Sequence, residues 1–176
     1  PVKPVANTVG SGDTKHAYLL LEQKQFAAAA KEAKELAAAY PNDSEAWKIA
    51  GFAELNLKQY ADAVKDLEKA VQLQRQAKQD DPNTESALGQ AYVLAERYEE
   101  ALPLLTAATA KNTAQPDSML IYYRGNSEFK TGKVADAEKS GAFPKGLKAE
   151  VRELGLSLME TADAHFLATQ SMIPDL

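Results

Sequence analysis

Residues Ser44–Leu73 read SEAWKIAGFAELNLKQYADAVKDLEKAVQL, and this stretch decides the fold. Trp47, Ala50, Gly51, Glu54 and Leu55 recur at helical spacing. After the polar pair Lys58-Gln59, a second helical stripe begins at Tyr60 and runs through Ala63, Val64, Leu67, Ala70, Val71 and Leu73. Two amphipathic helices joined by so short a turn must fold back on each other. The small pair Ala50-Gly51 lets the partner helix approach, and the second helix is expected to face it with alanine. Trp47, at the bulky position of the seam, is expected to be largely buried.

The same unit recurs along the chain. Phe26, Tyr60, Tyr98 and Val134 each follow a short polar pair and precede Ala29, Ala63, Ala101 and Ala137 by three residues. Twelve residues before each of those alanines stands a small residue: Ala17, Gly51, Gly89 and Gly125. The copies themselves are 34, 38 and 36 residues apart. A constant internal offset with variable spacing means that each helix pair is a rigid unit and that the connections absorb insertions. Pro41, Pro82 and Pro116 mark those connections, with Ser44 and Ser118 as candidate N-caps. The helix after Tyr60 is expected to run about two turns longer than its counterparts, through QLQRQAKQD. Pro103 falls early in its helix, where the lost hydrogen bond should lie near the orphan N–H groups.

On Trp47–Gly51, Ala63–Leu67–Ala70, Leu88-Gly89–Tyr92 and Ala101–Leu105–Ala108 the sequence resembles the tetratricopeptide repeat family, over roughly residues 14–142. The resemblance implies an all-α, right-handed superhelix, an α-solenoid of stacked antiparallel helix pairs. Departures are Glu54 and Glu128 where Tyr92 suggests an aromatic residue, and Arg124 in the place of Leu88. The expected organisation is a flexible linker over residues 1–13, four helix pairs over 14–146, and a capping helix and tail over 147–176. A degenerate fifth repeat with Gly155 in register is the variant reading of that last part. Pro1 at the start is read as the edge of a processed or excised chain, which leaves the compartment open between cytoplasm and export.

Composition narrows the chemistry. With 20 basic against 25 acidic residues there is no basic excess or stripe to follow a phosphate backbone, so nucleic acid is not expected as partner. No run is apolar enough to enter a bilayer. The absence of cysteine removes disulfides, thiolate catalysis and Cys-based zinc sites. His16 and His165 lack companions at metal-ligand spacing, Asp80-Asp81 lacks the ligand alternation of a calcium loop, and no phosphate loop, GxSxG or HExxH is present. No cofactor, metal or catalytic residue is expected, and the chain reads as a non-catalytic adaptor.

In the family the first helices line the concave face. Steps of four residues on that side give Thr14, Tyr18 and Glu22, then Lys48, Phe52 and Asn56. The third copy contributes Ser86, Gln90 and Leu94, and the fourth Tyr122, Asn126 and Lys130, with Leu55 and Phe129 flanking. The expected partner is a protein or peptide held by aromatic anchors (Tyr18, Phe52, Tyr122) and by amides that bond its backbone. The family's clamp for chaperone C-termini is incomplete here. Lys48 and Asn56 match it, but Phe52 replaces an asparagine, and Asn83 and Ala87 stand where basic residues belong. Two alternatives accompany the adaptor: a homo-oligomer formed through an end repeat, and an accessory domain of a larger enzyme or of a secretion or assembly machine.

Overall fold

The structure is a computed structural model that describes residues 12–111 and 117–133, with Asp136 and Lys139. Seven helices follow one another: α1 (Lys15–Glu22), α2 (Phe26–Ala39), α3 (Ser44–Asn56), α4 (Tyr60–Gln76), α5 (Pro82–Leu94), α6 (Tyr98–Lys111) and α7 (Ser118–Lys130). Among the described residues there is no strand. The second helix of the fourth pair, the 147–176 segment and the first eleven residues lie outside the described residues. Of the segment read as linker, Gly12 and Asp13 are described, and the Gly12 amide donates to Asp43 Oδ2 at 2.8 Å.

Every helix packs on the next. In addition α1 touches α3, α3 touches α5 and α5 touches α7, whereas α2, α4 and α6 make at most marginal contact with one another. One row of helices is closed up and the other is spread, so the stack curves toward the first helices of the pairs. That packing difference is what makes a concave face.

The turns and caps follow local rules. Each first helix ends in a residue at positive φ, namely Lys24, Lys58, Glu96 and Gly132, and the chain reverses there within a few residues. The N-caps of α3, α5 and α7 are Asp43, Asp81 and Asp117, whose carboxylates accept from the amides of Glu45, Asn83, and Met119 with Leu120. The caps therefore sit one residue before Ser44 and Ser118, because an aspartate precedes each serine and its carboxylate is the stronger acceptor. Pro82 occupies the first turn of α5, where a missing N–H costs nothing.

Two further expectations are corrected and a third is refined. Helix α4 spans 17 residues against 14 in α2 and α6, an extension of less than one turn, since Lys78 at φ 57° ends it. Pro103 lies past the orphan turn of α6, and its missing N–H would have bonded the carbonyl of Glu99, a residue exposed to solvent. Trp47 is mostly but not wholly buried, with its indole N–H donating to Pro41 O at 3.0 Å, while Ile49 is wholly enclosed. That isoleucine packs with Ala17 and Ala33 of the first pair.

Candidate functional site

A cavity of about 1240 Å³ lies along the first helices. Eight of the fourteen stripe and flanking residues proposed from sequence line it: Tyr18, Lys48, Phe52, Leu55, Asn56, Ser86, Gln90 and Leu94. They come from α1, α3 and α5, one helix per repeat, because residues spaced by four share a face and the three helices lie side by side. The other six, Thr14, Glu22, Tyr122, Asn126, Phe129 and Lys130, are not part of its lining. Tyr122 packs on the main core cluster with its ring 5.5 Å from that of Tyr123, and Asn126 is buried, with Oδ1 unpartnered among the described residues. On α7 the wall is made instead by Leu120 and Tyr123.

The wall changes character along its length. Tyr18, Leu21, Phe26, Phe52, Leu55, Leu57 and Tyr60 make the end nearest the first repeat apolar and aromatic. Tyr18 is 47% exposed, so its ring stands in the groove instead of in the core. Phe52 and Leu55 rest against the core on one side, which holds them rigid. Toward α5 and α7 the wall becomes polar, with Asp81, Asn83, Ser86, Gln90 and Asp117.

Some of these polar groups are already engaged. Asn56 Nδ2 donates to Phe52 O at 2.8 Å, and Ser86 Oγ donates to Pro82 O at 2.7 Å. The side chains of Gln90 and Asn83 make no hydrogen bond among the described residues, so they are the amides available to an extended backbone. Lys48 Nζ lies 2.7 Å from Glu45 and 3.5 Å from Asp81. The Asp81 carboxyl is held below its ordinary value: hydrogen bonds from the Asn83 amide and the Thr84 hydroxyl, together with Lys48, outweigh burial, which pushes it the other way.

The stripe rule missed the residues at helix ends. Lys24, Lys58 and Asp81 line the groove from turns and caps, and a period of four read along helix interiors cannot reach them. For the two lysines the signal was the polar pair after each first helix, and for Asp81 it was its place just before Pro82. Among the described residues, no group of three or more His, Asp or Glu is placed to hold a metal ion. No described helix is long and apolar enough to cross a membrane.

Behind the groove, the two departures from the family pattern are resolved by pairing. Glu54 is fully buried and ion-paired with Lys34 of α2, with Asp66 of α4 alongside. Glu128 accepts from Arg124 Nε at 2.7 Å, and Arg124 also reaches Thr109 of α6. Tyr92, at the same place in its repeat, donates to Glu68 of α4 at 2.7 Å. Glu54 and Tyr92 thus address the second helix of the preceding pair directly, and Glu128 does so through Arg124.

The tetratricopeptide repeat profile matches residues 14–82 and 86–142. The chain belongs to the tetratricopeptide repeat family. Among solved structures, YrrB, described as a TPR protein with an unusual peptide-binding site, superposes with a TM-score of 0.63 at 20% identity. That match covers 72% of this chain, which spans 62% of the YrrB chain. MamA from Desulfovibrio magneticus RS-1 (residues 41 to its end) superposes with a TM-score of 0.61 at 22% identity, covering 93% of this chain and 94% of the other. A double mutant of MamA RS-1 gives 0.59 at 22% identity, with 93% of each chain covered. At these identities the likeness establishes the α-solenoid fold. A comparison with curated proteins gives no match.

Proposed function

We propose that the protein is a non-catalytic scaffold that holds an extended segment of another protein in its concave groove. The observation that carries this reading is the convergence of Tyr18, Phe52 and Gln90, from three successive repeats, on one cavity of about 1240 Å³. Sites for small molecules are typically about 300–1,000 Å³, and this groove is larger. Rigid aromatic anchors at one end and unengaged amides at the other suit a peptide whose side chains are desolvated and whose backbone is hydrogen-bonded. YrrB, which shares the fold, is described as having a peptide-binding site.

The test is selection of binders from a displayed library of short random peptides. Phe52→Ala is expected to weaken the selected peptides by roughly 1–3 kcal/mol, and Lys65→Ala on α4 to leave them unchanged. Gln90→Trp, which would plug the groove from a half-exposed position, serves as a second variant should Phe52→Ala loosen the fold. Peptides that ignore both groove variants would place binding elsewhere.

A second reading is self-association through the first repeat. Tyr18 and its neighbour Leu19 leave 47% and 45% of their surface exposed on α1, the first of the described helices. A solution mass that rises with concentration and falls back in Leu19→Glu would favour it.

A further inference from the structure

The ionised side chains of the groove differ in what they already hold. Asp81 and Asp117 cap helices, and Lys48 sits between Glu45 and Asp81. Lys24 and Lys58 are different: both are exposed, both line the groove, and neither makes an ion pair among the described residues. They are equivalent positions, each seven residues after the small residue of its repeat and each the positive-φ residue that ends its first helix. The third and fourth repeats place Glu96 and Gly132 there, so this cationic rim is confined to the first two repeats. It borders the aromatic end of the groove, where Tyr18, Phe26, Phe52 and Tyr60 stand.

Building on the groove reading above, we propose that the site selects an internal acidic segment: a large apolar or aromatic side chain with Asp or Glu close by in sequence. The ring would enter between α1 and α3, and the carboxylates would meet Lys24 and Lys58. The chain as a whole carries a formal charge of −5, so its overall field opposes such a ligand. That field is screened beyond about 8 Å at physiological salt, whereas contact with the two lysines is not. Two cations suit a short acidic cluster and fall short of the stripe that a nucleic acid requires.

The peptide library of the preceding section tests this directly if both ends of the random segment are embedded in linker, so that no terminal carboxylate is offered. Selected sequences should combine an aromatic or large aliphatic residue with Asp or Glu within a few positions. End-blocked synthetic copies should lose about two- to fivefold in affinity for each of Lys24→Gly and Lys58→Gly, as expected for exposed ion pairs. Glycine suits the positive φ at both sites, so these variants keep the fold and a loss cannot be ascribed to unfolding. Binders that depend on Phe52 but show no acidic enrichment, or that ignore the double lysine variant, would overturn this inference and leave the groove reading standing. Binders that ignore Phe52→Ala and Gln90→Trp, or a library that yields none, would bring down the groove reading itself.

Discussion

Gly51 and Leu67 approach so closely that a Cβ on the glycine would lie 2.5 Å from Leu67 Cγ and 2.8 Å from its Cδ2. Gly89 and Leu105 repeat the arrangement, at 3.1 and 2.9 Å to the same two atoms. In the first pair the equivalent residues are Ala17 and Ala33, both fully buried in one cluster. Size is thus exchanged across the seam, glycine against leucine in two repeats and alanine against alanine in the first.

Gly51→Ala should therefore destabilise by overpacking, on the order of 1–3 kcal/mol, because Leu67 is wholly enclosed and has nowhere to retreat. Leu67→Ala alone should cost roughly 2–5 kcal/mol. The double variant reproduces the first pair and should cost clearly less than the sum. Denaturant unfolding of the four proteins measures the coupling, and additive losses would show that the two side chains do not constrain each other.

The seam also shows what the sequence reveals and what it conceals. The helix pairs, their repeat and the groove stripe of the first three repeats follow from period and spacing alone. The partner of the small residue does not. The constant offset pointed to Ala63 and Ala101, yet the glycines meet Leu67 and Leu105, one turn later. A helical side chain leans toward the N-terminus, so the surface beside Ala63 is covered by the residue four positions on. The caps escaped for a related reason: Asp43-Ser44 and Asp117-Ser118 each offer two competent residues, and only the geometry of the connection chooses. In the groove, Lys24 and Lys58 depend on the αL turn that swings the chain around, which no periodicity encodes.

Acid should stabilise the junction of α2, α3 and α4. Burial, reinforced by the nearby Asp66, lifts the Glu54 carboxyl from its ordinary 4.5 to about 7 against the pull of Lys34. Burial raises Asp66 as well, with Asp62 adding to the rise and Lys34 and Lys65 opposing it. Lys34 itself is raised by its bond to Glu54, which matters only in alkali. A carboxyl whose folded value exceeds its unfolded value binds more protons in the folded state, so its contribution is greatest below 4.5 and is lost as pH rises through 7. The lowered Asp81 and Glu100 act oppositely, but only below 3.8 and 4.5. The thermal midpoint should thus fall between about pH 5 and about pH 8, and Glu54→Gln should flatten that slope. A midpoint that climbs over this interval would contradict the assignment.

Tyr92 ties the second repeat to the third. Its hydroxyl donates to Glu68, the Arg97 guanidinium sits 4.6 Å above its ring, and Arg97 Nη1 reaches the same Glu68 oxygen at 3.2 Å. Burial first, and then Glu68, pushes the phenol up to about 12. Tyr92→Phe keeps the ring and the cation above it but removes one hydrogen bond to a charged acceptor, an expected loss of about 1–2 kcal/mol in denaturant unfolding. Arg97→Ala should cost less, because that side chain is largely in solvent. An unchanged stability in Tyr92→Phe would mean that water replaces the bond without penalty.

Asp81→Asn separates the two roles of one groove residue. Asparagine caps a helix about as well as aspartate: its Oδ1 can still accept from the Asn83 amide, and the Thr84 hydroxyl can turn to accept from its Nδ2, so α5 should lose little stability, about 0.5 kcal/mol. The anion, however, would be gone from the groove wall. Lys48, now held by both Glu45 and Asp81, would keep only Glu45, which lies on its own helix one turn away. A third cation would then turn toward the ligand, beside Lys24 and Lys58. Acidic peptides selected on the unmodified protein should therefore bind Asp81→Asn about two- to fivefold more tightly, and the gain should shrink as salt is raised. Neutral analogues of the same peptides, with Gln for Glu, should be indifferent to the substitution. Tighter binding of both kinds would point to a change of groove shape. Unchanged binding of the acidic kind would mean that its carboxylates do not approach the Lys48 end of the groove and that Lys24 and Lys58 alone set the charge preference.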